Sequence, residues 1–87
     1  MKYIRKQDFE TTILEDEWIV LDSNSYTITT LNEVGGYCWD LLHEQQTVED
    51  IVQSLQERYI LTEKTIEEDI VVFLTDLIKY GLVEYAN

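Results

Sequence analysis

The sequence predicts an α+β domain in which three antiparallel strands precede three helices. Apolar residues alternate with a period of two as far as Leu31, and from Glu33 onward they recur at helical spacing. Polar residues suited to capping a helix come directly before each helical segment. The chain has no proline, no internal repeat and no shift in composition, so we expect one domain over residues 1–87.

Three short segments have the character of strands. Residues 9–14 and 17–21 are rich in β-branched and aromatic side chains and are separated by Glu15 and Asp16, which predicts an antiparallel pair. Residues 26–31 alternate strictly, as in a strand with one buried face. The two faces of this third strand are Tyr26, Ile28 and Thr30 on one side and Thr27, Thr29 and Leu31 on the other.

The third strand is predicted to be an open edge of the sheet. Residues 26–30 contain neither proline nor charge, the usual devices that protect an edge from pairing with another chain. Two alternatives remain, because the strand could be central, or the extended tail at residues 82–85 could cover it. An open edge predicts that an extended peptide could be added as a further strand.

The helices are predicted from their caps and apolar stripes. They cover residues 33–43, 48–59 and 66–80, with caps at Asn32, Thr47 (with Asp50) and Thr65 (with Glu68). Gly81 is expected to end the last helix in a left-handed conformation. Within the first helix, Gly35 and Gly36 each cost about 1 kcal/mol relative to alanine, which predicts close packing against a neighbouring element.

The third helix has more apolar surface than a single core stripe needs. Val71 and Ile78 widen its apolar face, and Val72 points elsewhere. The core stripe itself is formed by Ile66, Ile70, Phe73, Leu74 and Leu77. The surplus predicts a binding groove, with a thick core or a homodimer contact as alternatives.

Composition excludes several classes of function. Eighteen acidic residues against six basic ones give a net charge of −12, which opposes nucleic-acid binding. A single histidine, His43, and a single cysteine, Cys38, do not supply a zinc site or a catalytic triad, so we expect no enzyme activity, cofactor or metal. The chain has no apolar run of membrane-spanning length, and we expect a cytoplasmic protein.

One series of residues follows a characteristic order along the chain: Leu31-Asn32-Glu33, Gly35, Trp39, Leu41-Leu42, Thr47-Val48, Ile51, Asp69, Phe73-Leu74, Leu77 and Gly81-Leu82. This order resembles the PqqD-like family, the leader-peptide recognition elements of ribosomally made, modified peptides. The match covers almost the whole chain, and the short form is most similar to the leader-binding protein of lasso peptide pathways. The chain departs from the family at His43-Glu44-Gln45-Gln46 and at Cys38.

The resemblance implies a winged helix-turn-helix-like fold and a non-catalytic adaptor. The leader of a precursor peptide would pair with the third strand and pack its apolar side chains on the third helix. A leader protease and a macrocyclase would be the other partners. The implied contacts are the edge residues Tyr26, Thr27, Ile28, Thr29 and Thr30, then one helix flank of Asp69, Val72, Phe73 and Asp76, and the other flank of Val71 and Ile78.

Two rival functions follow from the same elements. A winged-helix DNA-binding regulator fits the helix order, but its recognition helix, residues 66–80, would carry only Lys79 against four carboxylates. A structural dimerisation module would use the same edge and helix. The resemblance leaves open which flank of the third helix lines the groove.

Overall fold

The computed structural model describes residues 1–6, 9–59 and 66–86, in which four strands are followed by three helices and a fifth strand. The elements are β1 (Lys2–Arg5), β2 (Phe9–Leu14), β3 (Glu17–Asp22), β4 (Thr27–Leu31), α1 (Glu33–Leu41), α2 (Val48–Arg58), α3 (Ile66–Lys79) and β5 (Val83–Ala86). The predicted α+β fold class, three antiparallel strands followed by three helices, is confirmed and is compatible with a winged-helix-like description.

The main sheet has the order β2-β3-β4 and is antiparallel throughout. β2 and β3 form a hairpin that turns at Glu15, whose φ of 56° lies in the left-handed region. β3 is the central strand, and Val20 on it is buried in the core. Both β2 and β4 are therefore outer strands of this sheet.

A second sheet, which the sequence reasoning missed, joins the two ends of the described chain. β1 pairs with β5 in antiparallel register from Lys2 opposite Ala86 to Arg5 opposite Val83. The tail therefore does not cover β4, and that alternative is wrong. The strand β1 was missed because Lys2, Arg5 and Lys6 interrupt its apolar pattern.

The third strand begins one residue later than predicted. Tyr26 has φ of 56° and lies in the turn before β4, so its prediction as a strand residue is wrong. A bulky residue in the left-handed region is uncommon outside turns. Its side chain is 90% exposed.

The helix caps form largely as predicted. Asn32 Oδ1 accepts a hydrogen bond from the Gly35 amide at 2.7 Å. Thr47 and Asp50 make a reciprocal capping box, with bonds of 3.1 and 2.9 Å. The pKa of Asp50 is lowered, chiefly by the hydrogen bond that its carboxylate accepts from the Thr47 backbone N–H. The predicted cap at Thr65 lies outside the described residues.

The helix ends are slightly shorter than predicted. α1 ends at Leu41 rather than at residue 43. Beyond Leu41 the backbone hydrogen bonds join residues three apart, as in the bond from the His43 N–H to the Asp40 carbonyl at 3.2 Å. α3 stops at Lys79, and Gly81, with φ of 78°, closes it as predicted. The Leu82 amide then bonds to the Leu77 carbonyl at 2.8 Å, as in a Schellman motif.

The core lies between the main sheet and the three helices. Trp39, Leu42, Ile51, Leu55 and Leu74 are its largest fully buried side chains. The prediction of a close approach at the paired glycines is confirmed, because a Cβ atom on Gly36 would overlap the Trp18 ring. This contact holds α1 directly against β3.

Candidate functional site

β4 offers an unpaired backbone edge. Among the described strands it pairs only with β3, in register from Trp18 opposite Leu31 to Asp22 opposite Thr27. Along the strand, Thr27, Ile28 and Thr30 are exposed, and the Ile28 side chain is 67% accessible. The prediction that the third strand lies at a sheet edge is confirmed. Its outward N–H and C=O groups are available to a further strand.

The turn before β4 is fixed by one carboxylate. Asp22 accepts hydrogen bonds from the Ser25 hydroxyl at 2.6 Å and from the Asn24 amide at 3.0 Å. The Ser25 hydroxyl also lies 3.0 Å from the Thr27 hydroxyl, at the first residue of β4. The Ser25 hydroxyl, followed by the amides of Asn24 and Ser25, lowers the pKa of Asp22. The edge strand therefore starts from an ordered turn.

A groove runs between this edge and α3, and it consists of two adjoining depressions. One, of about 340 Å³, lies at the carboxyl end of β4, and the other, of about 470 Å³, follows the strand back to Thr27. They share Thr30. We call this surface the β4–α3 groove; its lining residues are Thr27, Ile28, Thr29, Thr30, Leu31, Asn32, Val34, Gly35, Cys38, Asp69, Ile70, Phe73 and Tyr80.

The floor of the groove near α1 is apolar and close to the core. Gly35 lies under the Phe73 ring, and Cys38 and Ile70 are buried beside it. Burial raises the pKa of the Cys38 thiol to about 11, so this cysteine is a neutral apolar side chain at physiological pH. Asp69 is the one carboxylate among the described residues of this lining. The depression therefore suits an apolar side chain.

One flank of α3 faces the groove. Asp69 and Phe73 line it directly, and Asp76 lies between Phe73 and Tyr80 at helical spacing. Residues 69, 73, 76 and 80 thus form one row along α3 and its last turn. The structure brings Asp69, Phe73 and Tyr80 of this row beside β4, whereas Asp76 is assigned to the row by its spacing alone.

Four other predicted site residues, three on α3 and one in the turn before β4, lie outside the β4–α3 groove. Val71 and Val72 line a separate depression with Glu67 and Glu68. Ile78 is partly buried and packs against the core. Tyr26 belongs to the turn and does not line the β4–α3 groove. These four residues are therefore not brought together with Phe73.

Tyr80 and Val34 line the groove, and the sequence reasoning did not place them in a site. Tyr80 is seven residues beyond Phe73, a helical spacing that puts both on one face, and this signal was available in the sequence. Val34 is exposed in the first turn of α1, where an exposed apolar residue is a similar signal.

The described residues bring together no metal-binding cluster. Within 1–6, 9–59 and 66–86, no three His, Cys, Asp or Glu side chains are placed to share an ion. In the same residues, no helix is both long enough and apolar enough to cross a bilayer.

Comparison with known proteins agrees with this architecture. Residues 17–83 match the family described as coenzyme PQQ synthesis protein D, PqqD. The chain belongs to the PqqD family. The matched part runs from the start of β3 to the start of β5, and it includes every residue that lines the β4–α3 groove.

Two solved structures show the same fold over nearly the whole length. One is described as TbiB1 in complex with the TbiA(beta) leader peptide, with 29% identity, a TM-score of 0.81 and coverage of 97% of this chain and 99% of that chain. The other is described as lasso peptide synthetase B1 complexed with the leader peptide, with 20% identity, a TM-score of 0.78 and coverage of 94% and 96%. A search of curated proteins gave no match.

Proposed function

We propose that this PqqD-family protein is a non-catalytic adaptor that binds the leader of a ribosomally made precursor peptide in the β4–α3 groove. The observation that carries the proposal is the open edge of β4 alongside an apolar groove. Strand addition requires both features, because the backbone supplies affinity and the neighbouring depressions supply selectivity. The two structural neighbours are described as leader-peptide complexes, which supports the proposal.

An antiparallel leader has a defined direction in the groove. β4 runs from Thr27 to Leu31, so the amino-terminal part of the bound segment would lie near Asn32 and its carboxyl-terminal part near Thr27. The core peptide, which follows the leader, would then leave the groove beside the Asp22–Ser25 turn and Tyr80. A processing enzyme would meet the core peptide at that end.

The groove predicts the chemistry of the leader. An apolar anchor would enter the depression beside Phe73, Gly35 and Val34. The rim carries Asp69, and the whole chain has a net charge of −12, so basic residues in the leader would be favoured. Electrostatic attraction would mainly speed association, and the apolar anchor would set how long the leader stays bound.

The adaptor would act by tethering. Once the leader is held, the core peptide is confined near any enzyme that binds the adaptor, which raises the effective concentration of substrate without new contacts. A leader protease and a macrocyclase of a lasso peptide pathway are the proposed enzymes. The chemical steps would belong to them.

The test is a titration of the amide-labelled protein with the leader segment encoded in the same gene cluster. We expect NMR shifts concentrated on residues 27–31, 69, 73 and 80, with little change on 10–14. Ile28→Ser should weaken binding, because its side chain lies on the open edge. Ile13→Ser is the matched control, since Ile13 is comparably exposed, at 54% against 67%, but lies on the opposite outer strand.

Two results would contradict the proposal. One is a folded protein with no leader-dependent shifts at all. The other is equal loss of affinity in Ile28→Ser and Ile13→Ser, because that would place the leader outside the β4–α3 groove.

The acidic α3 argues against DNA binding. Its first turn carries Glu67, Glu68 and Asp69, and Lys79 is the basic residue of its last turn. A recognition helix in a major groove needs positive charge near the phosphates. Leader capture therefore accounts for this helix better than DNA recognition does.

A further inference from the structure

The main sheet has a second outer strand, β2, which leader binding leaves unused. β2 pairs only with β3 among the described strands. Its residues from Glu10 to Leu14 are all exposed, and Leu14 is 57% accessible. The strand contains no proline, and Glu10 is its one charged residue. Apart from Glu10, β2 therefore has none of the usual devices that protect an edge against strand addition.

A depression of about 230 Å³ lies beside this edge, and it differs in charge from the β4–α3 groove. Arg5, Lys6 and His43 line it, so it holds two of the six lysine and arginine residues of the chain. Neither Arg5 nor Lys6 forms an ion pair with any described residue. The other described residues that line it are Ile4, Phe9, Thr11 and Trp39.

The depression is held in shape by packing. The Arg5 guanidinium lies 5.4 Å from the centre of the Trp39 ring, and Phe9 meets the same ring edge-on at 5.8 Å. The Trp39 indole N–H donates to the Thr11 hydroxyl at 3.1 Å, which ties the buried ring to β2. The His43 Nδ1 bonds to the Asp40 carbonyl at 2.6 Å. Arg5 and Lys6 therefore line a depression that also contains the packed Trp39 ring.

We propose that β2 is a second strand-addition edge, and that it takes an extended acidic segment of a partner protein. Backbone pairing with β2 would supply the register, and a carboxylate of the segment would lie in the depression between Arg5 and Lys6. Charge complementarity selects this occupant, because the described lining of the depression carries Arg5 and Lys6 and no carboxylate, in a chain with a net charge of −12. A second copy of the chain would bring another net charge of −12 to the interface, which disfavours it.

The two outer strands of the main sheet, β2 and β4, would then bind peptide segments of opposite charge. An acidic rim at β4 favours a basic leader, and the basic depression at β2 favours an acidic partner. This inference goes beyond leader capture and is tested by different amides, so either proposal can fail without the other.

The test uses the full chain and two capped hexapeptides, one alternating valine with glutamate and the other alternating valine with lysine. We expect the glutamate peptide to shift the amides of residues 10–14 and the Trp39 indole signal, and the lysine peptide to leave them unchanged. Lys6→Gln should weaken the glutamate peptide by about tenfold, the scale of one charge-assisted hydrogen bond. Lys79→Gln, on α3, is the matched control and should bind as the parent does.

Arg5→Gln is a second variant, but it also removes the contact with Trp39, so Lys6→Gln, at an exposed side chain, is the cleaner test. The proposal is overturned if both peptides shift the β2 amides alike, if the shifts caused by the glutamate peptide fall on β4, or if Lys6→Gln and Lys79→Gln bind the glutamate peptide equally. Sedimentation that shows a dimer whose formation protects the β2 amides would also overturn it, because a second copy would then fill the edge.

Discussion

The Phe73 ring on α3 lies over Gly35 on α1, so closely that a methyl group on Gly35 would be 3.4 Å from Phe73 Cε1. The same methyl group would be 3.1 Å from the Asn32 oxygen that caps α1. Because Gly35 has no side chain, it leaves space on the floor of the β4–α3 groove at the point where an apolar anchor would enter.

Gly35→Ala should separate binding from stability. Alanine favours a helix by about 1 kcal/mol over glycine, which offsets the tight contacts, so we expect a small change in the free energy of unfolding. Leader affinity should fall, because the new methyl group takes up space on the floor of the depression beside Phe73. Calorimetric titration and chemical denaturation measure the two quantities.

Gly36→Ala is the matched control for that substitution. Its Cβ would overlap the Trp18 ring, which does not line the β4–α3 groove, so we expect destabilisation of about 1–3 kcal/mol from overpacking. Equal effects of the two substitutions on both stability and affinity would show that Gly35 has no separate role in the groove.

Phe73→Ala should weaken leader binding far more than Val71→Ala. Phe73 lines the groove, whereas Val71 lies on the opposite flank of α3 and is 42% exposed. Loss of a buried aromatic anchor costs about 2 kcal/mol or more, which corresponds to roughly thirtyfold in affinity. Fluorescence anisotropy of a labelled leader measures the affinity of each variant. Phe73→Leu should retain part of the affinity, and a loss that is equal in Phe73→Ala and Val71→Ala would refute the assignment of flanks.

Most of the main sheet and the helices could be predicted from the sequence, because local chemistry decides them. The alternation at residues 27–31 and the caps at Asn32 and Thr47 are local signals, and each forms as expected. The pairing of β1 with β5 depends instead on contact between distant parts of the chain. Lys2–Arg5 becomes a strand because Val83–Ala86 lies beside it, and no periodicity in either segment shows that.

The candidate site could be predicted only in part, because its open edge is a local feature of the sequence and the choice of helix flank is not. The open edge followed from the absence of proline and charge at residues 26–30, and the structure places β4 at the edge. The flank of α3 could not be chosen, since Phe73 and Val71 both border the apolar stripe. That choice depends on how α3 is rotated against the sheet, which is set by the burial of Ile70, Leu74 and Leu77.

Acid should loosen the turn that starts β4. The hydrogen bond from Ser25, and then those from the backbone amides, hold the pKa of Asp22 below its usual value of about 3.9. A lowered folded-state pKa means that the stabilisation is complete above the unfolded value and is lost as pH falls through the folded one. Asp22→Asn should therefore reduce the dependence of unfolding free energy on pH below about 4. Acid titrations followed by circular dichroism compare the two proteins, and identical slopes would contradict the role given to Asp22.

Cys38 should make the protein less stable in alkali and should resist thiol reagents while folded. Burial raises its pKa to about 11, so the unfolded chain loses the thiol proton at lower pH than the folded one. The stabilisation is present below the unfolded value of about 8.5 and is lost as pH rises towards the folded value, at about 1.4 kcal/mol per pKa unit. Cys38→Ala should remove this part of the pH dependence, although the smaller side chain lowers stability at every pH. Denaturation at several alkaline pH values measures the effect.

Rapid labelling of Cys38 under native conditions would contradict its place beneath the groove, because a buried neutral thiol reacts only when the surrounding structure opens.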